Sequence, residues 1–468
     1  MLCLVPPTGL YIREDRCQTP IDKLKTIALR PPIDLMSGAA AFEAAGAAVC
    51  LKDYPAERGG WDQLESDLRV FQPNVILLSI TTPSLGEDLD AAALAKQLDP
   101  EVMTIAKGAH FNVLDEPTLE RYPALDVALR GEYEHTCREL GEGWPLEQIA
   151  GITWRDGQGR IRRNADRPLE PELDRFTLPA RHLVRNELYL RPDTGRPQTT
   201  LVTNRGCPHR CIYCLSGQVS GLRNRYRTVE NVMNEIRECL RRYGIRNFLF
   251  RSDLFTQNKQ WVCQLCEAIL TEGLDIEWAS NSRVDTVDEE MLKWMKRAGC
   301  WIIAYGVERG DQASLDRLRK STKVEDAIEA IQRTRRAGIK SSAYLLMGLP
   351  WDTEELIEEQ VTFAKRLDPD FLEVFFVYPF PGTELYQMAV EEGLLEAGEI
   401  PREAYGGPAM ASRYLSVEEL ERLRRQALRR YYLRPRIIGR TLAGVRSPRE
   451  LAGYVIGGMN MLRTILAR

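Results

Sequence analysis

Thr203-Asn-Arg-Gly-Cys207-Pro-His-Arg-Cys211-Ile-Tyr-Cys214 places three cysteines within eight residues, directly after a run that reads as a strand, Thr200–Thr203. Three thiolates at this spacing can wrap one face of a cubane cluster. Sulfur is the soft donor that suits iron, and cysteine is the usual cluster ligand. No fourth cysteine stands in the loop. One iron of a [4Fe–4S] cluster therefore keeps an open position, as a substrate-binding metal needs. A zinc knuckle is the competing reading, but it lacks a fourth ligand, because His209 sits too close within the loop to complete a tetrahedron. The expected metal ligands are Cys207, Cys211 and Cys214.

Outward from this loop, residues 198–385 alternate strands and helices. Strands are predicted at Thr200–Thr203, Asn247–Phe250, Ile276–Ala279, Trp301–Tyr305, Ser342–Leu346 and Phe371–Tyr378, with helices such as Val229–Arg242 and Val324–Ala337 between them. Six repeats predict a partial (β/α)6 barrel over 196–400, with its working groups at the carboxyl ends of its strands. Residues 1–145 repeat the alternation. Leu2–Val5, Ala48–Lys52, Val75–Ser79, Met103–Ala106 and Val127–Leu129 read as strands, and Asp34–Ala45 and Asp88–Leu98 as helices. That pattern predicts an α/β, doubly wound, Rossmann-like parallel sheet.

Such sheets bind ligands at the carboxyl ends of their strands. Here those ends carry Pro6-Pro-Thr8-Gly9, Thr81-Thr82-Pro-Ser84 and Gly108-Ala-His110, small or turn-forming residues that let a large flat ligand approach the backbone. The polar stretch Thr8–Gln18 should overhang that edge, with Arg13 or Arg16 able to hold an anionic substrate group. Residues 146–195 read as a connector with a β-hairpin, Ile152–Trp154 and Ile161–Arg163, turning at Asp156-Gly-Gln-Gly159. Residues 401–468 read as helical, with capping boxes at Ser416–Glu419 and Ser447–Glu450.

The chain has 468 residues and a formal net charge of -4, which argues against nucleic acid as a partner, since phosphate binding needs a basic excess. Eleven cysteines in a chain this long do not suit a secreted disulfide scaffold. Met1-Leu-Cys-Leu-Val-Pro-Pro has no signal-peptide pattern, so the expected setting is cytoplasmic. Four histidines are too few to favour a zinc hydrolase. Cys263 and Cys266 have metal-like spacing but fall in a predicted helix and read as a buried face. Residues 434–468 hold seven arginines and one acid among apolar residues. A basic amphipathic tail of this kind can make peripheral contact with an anionic membrane; it can equally close a barrel or meet another subunit.

The cysteine loop resembles the hallmark of the radical SAM superfamily, Cys-x3-Cys-x2-Cys after the first barrel strand, with an aromatic residue before the last cysteine. Further similar stretches are Ile245 to Asp253, Ser280-Asn-Ser-Arg283-Val-Asp285, Tyr305-Gly-Val-Glu308-Arg-Gly310, Leu346-Met-Gly348-Leu-Pro350 and Tyr378-Pro-Phe-Pro-Gly382. The resemblance covers about 196–385. It implies that the open iron binds S-adenosylmethionine and that reductive cleavage gives a 5′-deoxyadenosyl radical. It also implies an electron donor such as flavodoxin or ferredoxin, and contacts to S-adenosylmethionine from Tyr213, Asp253, Ser280, Arg283 and Glu308. The family's Gly-Gly-Glu is Arg251-Ser-Asp253 here, and its Glu-Ser-Gly is Glu308-Arg-Gly310.

Residues 1–140 resemble the cobalamin-binding domain fused to many radical SAM enzymes. This resemblance implies cobalamin contacts from Thr8, Thr81, Thr82, Gly108, His110 and Glu132. The Asp-x-His-x-x-Gly signature is absent, which removes a histidine ligand to cobalt but not cobalamin. Together the resemblances imply a cobalamin-dependent radical SAM enzyme, foremost a C-methyltransferase acting on an unactivated carbon of a small molecule; the basic amphipathic tail points to a hydrophobic or lipid-like one. The alternative with the same cofactors is a rearrangement, ring contraction or oxidative cyclisation without methyl transfer. Methylthiotransfer to tRNA fits less well, because it predicts a second cysteine cluster and a C-terminal RNA-binding barrel. A cobalamin or iron sensor leaves the open iron unexplained.

Overall fold

The computed structural model describes residues 1–14, 17–21, 29–402, 404–443, 445, 451, 453–455 and 457–459. Its first sheet runs in the order β4 (Cys50–Asp53), β1 (Leu2–Val5), β5 (Val75–Ser79), β6 (Met103–Lys107), β7 (Val127–Leu129), β8 (Ile152–Arg155), β9 (Ile161–Arg163). The first five pair in parallel and the last two antiparallel. Central strands of such a sheet are covered on both faces, so they are apolar without alternation. Leu2 and Leu4 join one core with Leu89 and Ala92, while Cys3 and Val5 join the other with Met36 and Ala39 of the helix Ile33–Ala44.

Two sequence expectations change here. The hairpin β8–β9, expected in the connector, extends the sheet. Its strand β8 pairs with β7, which is only three residues long and would otherwise leave an open edge. The stretch after β1, expected as a polar loop, holds a hairpin of its own, β2 (Tyr11–Glu14) and β3 (Cys17–Pro20). Arg13 pins it, donating at 2.9 Å to Ser79 O and at 2.8 Å to Asp88 Oδ2. Asp88 is fully buried. Arg13 is thus spent on the fold and not on a substrate anion, and Arg16 lies outside the described residues.

The second sheet runs β11 (Arg225–Tyr226), β10 (Gln198–Arg205), β12 (Asn247–Ser252), β13 (Glu277–Arg283), β14 (Cys300–Glu308), β15 (Lys340–Met347), β16 (Phe371–Phe376), with six parallel strands and β11 antiparallel at one end. This is the expected open barrel. Its outer helices start at Thr228, Asn258, Asp288 and Thr353, each accepting an amide N–H with its side chain as an N-cap should. Cys266 is buried in the core behind the sheet.

The helix Val417–Tyr432, opened by the expected Ser416–Glu419 capping box, covers the outer edge of β16. The Tyr432 hydroxyl accepts from Leu372 N and donates to Leu372 O, both at 2.7 Å, completing the bonding of an edge strand. The second capping box, Ser447–Glu450, lies outside the described residues. Of the tail arginines, Arg434, Arg436 and Arg440 stand 3.1–3.3 Å from Asp368, and Tyr454 accepts from Lys340 Nζ at 2.9 Å. Asp368 and Lys340 precede or begin β16 and β15, so this part of the tail closes the amino end of the barrel, away from the cysteines. No helix among the described residues is long and apolar enough to cross a membrane.

Candidate active site between two sheet edges

The cysteine loop leaves β10 through Arg205 and Gly206. Gly206 has φ +93°, and a Cβ there would stand 2.0 Å from Arg223 O, so the turn requires glycine. Its N–H donates to Asp253 Oδ2 at 2.5 Å, and Cys207 N donates to Gly221 O at 3.0 Å. Ile212 buries its side chain with Leu318, Leu346 and Leu385, fixing the middle of the loop. Cys207, Cys211 and Cys214 form no disulfide and are all half-buried. Among the described residues no three His, Cys, Asp or Glu side chains converge to hold one metal ion. A [4Fe–4S] cluster makes no such demand, because each thiolate takes a different iron.

Strained backbone gathers around this loop. Of the seven described non-glycine residues with positive φ, Glu308, Arg319 and Ser321 are three. Such conformations persist where the surroundings over-determine them, and they cluster at functional sites. Cys211 Sγ lies 3.7 Å from Arg319 O, and Arg283 donates to Ser321 O at 3.3 Å. Lys320 donates to Glu308 Oε1 at 2.7 Å. Burial alone would weaken the Lys320 ammonium, but Glu308 and then Cys211 together outweigh it and its pKa rises. Burial, then Glu308, hold the Tyr213 hydroxyl far above its usual range. Burial pushes the Cys211 thiol up to about 11, against the pull of Lys320.

Tyr213, Asp253, Arg283 and Glu308 are therefore brought together around the loop. Ser280 is not. It pairs in register with Phe250 and Ile303, both in the core behind the sheet, so its side chain lies on the helix side. There its buried hydroxyl has no hydrogen-bond partner. Its neighbour Asn281 pairs with Ala304 on the inner face and donates to Ser252 O at 2.8 Å. Sequence reading missed Asn281 by one residue. It also missed Lys320, which lies in no quoted stretch.

The first sheet ends beside this site. Gly108 packs on Ile80, where a Cβ would meet Ile80 O at 2.9 Å. His110 is buried, with Nε2 3.0 Å from Thr118 Oγ1 and Nδ1 without a partner. Burial lowers its pKa to about 4, so the ring is neutral at neutral pH. Three other candidates are engaged within the protein. Thr8 Oγ1 donates to Asp88 at 2.6 Å, Thr81 Oγ1 pairs with Ser84 Oγ at 2.6 Å, and Thr82 N donates to Gln18 Oε1 at 2.6 Å. The carboxylate of Glu132, expected at cobalamin, is instead gripped by Arg225 at 2.8 and 2.9 Å. That contact crosses from one sheet to the other.

A cleft opens between the two edges. Asp34, Gly131 and Tyr133 line it from the first sheet, and Val202, Arg251 and Asp253 from the second. Arg251 donates to Asp34 Oδ1 at 3.2 Å. Burial raises the Asp34 pKa, but Arg251, then Lys107 and Arg205, outweigh it and hold it at about 2.

Residues 201–364 match the Radical SAM superfamily and residues 29–141 the B12 binding domain. An uncharacterized methyltransferase of Pyrococcus horikoshii is 30% identical over 375 residues, covering 79% of this chain and 81% of that protein. The chain belongs to the B12-binding radical SAM enzymes. An anaerobic magnesium-protoporphyrin IX monomethyl ester cyclase of Cereibacter sphaeroides is 27% identical over 385 residues, 80% of this chain and 62% of that protein. Among solved structures, the radical S-adenosylmethionine methyltransferase TsrM of Kitasatospora setae, with cobalamin and a [4Fe–4S] cluster bound, matches 98% of each chain at a TM-score of 0.71 and 15% identity. The cofactors of this B12-binding radical SAM enzyme are a [4Fe–4S] cluster, S-adenosylmethionine and cobalamin. Its residues fit them. Three cysteines outside any disulfide share one loop, cationic Lys320 and Arg283 lie near them to balance thiolate charge, and His110 Nδ1 is a buried polar atom left for a ligand.

Proposed function

We propose that this enzyme is a C-methyltransferase acting on an unactivated carbon of a small molecule held in the cleft between the two sheet edges. The observation that carries this reading is that cleft, lined jointly by Asp34 and residues 131–133 of the first domain and by Val202, Asn204, Arg205 and residues 251–253 of the second. A carbon held there is within reach of both cofactor domains. The similarity to a protein named a methyltransferase over 79% of the chain supports methyl transfer.

When bound, the cluster and S-adenosylmethionine supply the adenosyl radical, and cobalamin supplies the methyl group. The chain supplies position. Cys207, Cys211 and Cys214 are the ligands that hold the cluster. Asp253 holds Gly206 and so sets where the loop begins. Tyr213, Asn281, Arg283 and the Glu308–Lys320 pair face S-adenosylmethionine, presenting both charges to its amino and carboxylate groups. Gly108 and His110 face cobalamin through a backbone edge and a neutral ring.

The cyclase relative supports the second reading, the same cofactors without methyl transfer. Methyl-labelled S-adenosylmethionine separates the two. Methyl transfer predicts labelled product together with S-adenosylhomocysteine and 5′-deoxyadenosine. Altered but unlabelled product, with 5′-deoxyadenosine still formed, establishes the cyclase or rearrangement reading instead.

A further inference from the structure

Two arginines of the second sheet meet two glutamates of the first at the mouth of the cysteine loop. Glu132 and Glu134 belong to the segment after β7, on the ligand edge of the first sheet. Arg205 ends β10, two residues before Cys207, and Arg225 begins β11. Glu132, Glu134 and Arg225 are buried and Arg205 is half-buried, with side-chain exposure from 3% for Glu134 to 19% for Arg205.

Every polar atom of the glutamates is used. Arg225 forks onto both Glu132 oxygens at 2.8 and 2.9 Å, and Glu132 also accepts from Glu170 N at 3.0 Å. Glu134 accepts from both terminal nitrogens of Arg205. The arginines then reach the cysteine loop by two routes. Arg205 leads through the backbone and Gly206 to Cys207. Arg225 donates to Ser220 O at 2.8 Å, and the next residue, Gly221, accepts from Cys207 N at 3.0 Å. Both turns call for glycine, since φ is +93° at Gly206 and +77° at Gly221, and a Cβ on Gly206 would meet Arg223 O at 2.0 Å.

Buried ion pairs are a poor way to hold two domains together, because the cost of removing charge from water absorbs most of the attraction. Apolar contact does that more cheaply. What a forked arginine–carboxylate pair adds is a fixed angle and distance. We infer that Glu132 and Glu134 are positioning residues that act through Arg205 and Arg225 to fix the start of the cysteine loop against the ligand edge of the first sheet. This rests on the reading of Cys207 as a cluster ligand.

The test uses full-length enzyme carrying cluster and cobalamin, with Glu134→Gln and Glu132→Gln, each of which keeps shape and removes one charge. Both should retain iron and cobalamin. The electron paramagnetic resonance spectrum of the reduced cluster should shift, and 5′-deoxyadenosine formation should fall about 10- to 100-fold, as loss of alignment predicts. Glu139→Gln, whose partner is Arg167 and not a residue of the second sheet, should change neither. Should Glu134→Gln not fold, Arg205→Lys keeps the charge, loses the fork and is read the same way. Unchanged spectrum and rate in a folded Glu134→Gln or Arg205→Lys protein overturn the inference. If Cys207→Ala keeps a full cluster, it is the cluster reading that fails.

Discussion

Lys320 Nζ stands 2.7 Å from Glu308 Oε1, directly over Gly306. A Cβ on Gly306 would lie 2.7 Å from that oxygen and 3.0 Å from that nitrogen. The glycine at the inner face of β14 thus leaves room for an ion pair that closes over the strand. Both crowded atoms end flexible side chains, so Gly306→Ala should fold but displace the pair. Since the pair faces S-adenosylmethionine in the proposed site, Gly306→Ala should raise the KM for S-adenosylmethionine and lower 5′-deoxyadenosine formation about 10- to 100-fold, with iron content unchanged. Wild-type kinetics in this variant would remove Glu308 and Lys320 from the site.

Asp253 accepts from Gly206 N and so fixes the first residue of the cysteine loop. Asp253→Ala removes that acceptor, whereas Asp253→Asn keeps an oxygen in place. Iron retained after anaerobic desalting should fall in the first variant and hold in the second. Equal retention in both would assign the carboxylate no part in holding the loop.

His110 gives the first sheet a pH dependence. Its folded pKa of about 4 lies below its ordinary value of 6.5, so between those values the unfolded chain binds a proton that the folded one does not. Stability from neutral His110 is therefore complete above pH 6.5 and is lost as pH falls toward 4, by on the order of 3 kcal/mol at most. Urea unfolding of the wild type should weaken over that range, and His110→Gln should weaken less. Parallel curves for the two proteins would contradict the assignment.

Tyr432 closes the edge of β16 with two hydrogen bonds to Leu372. Tyr432→Phe should cost about 1 kcal/mol in denaturant unfolding, since water replaces part of what is lost. It should also raise self-association, because an uncovered edge invites strand pairing. A variant as stable and as monodisperse as the wild type would show that the edge needs no cover.

What the sequence made legible was local. Cysteine spacing, strand runs and N-caps are written within a few residues, and β5 and β7 begin and end where the apolar runs do. What it hid depends on pairing between distant residues. Ser280 and Asn281 differ by one position, and only the register with Ile303 and Ala304 says which faces inward, because a one-residue step reverses the side. The hairpin β8–β9 was visible as a hairpin, yet its place beside β7 is a tertiary choice. Glu132 stands at a strand end, where a ligand contact is a fair expectation. Its arginine partner is 93 residues away and nothing nearby announces it.

The most direct test of the whole account is iron and 5′-deoxyadenosine measured together on anaerobically reconstituted protein. Wild-type enzyme should hold about four irons and four sulfides per chain and, once reduced, release 5′-deoxyadenosine from S-adenosylmethionine. The variant with Cys207, Cys211 and Cys214 all changed to Ala should lose both, while a Cys263→Ala, Cys266→Ala variant should keep both. A triple variant that still carries a full cluster would contradict the account.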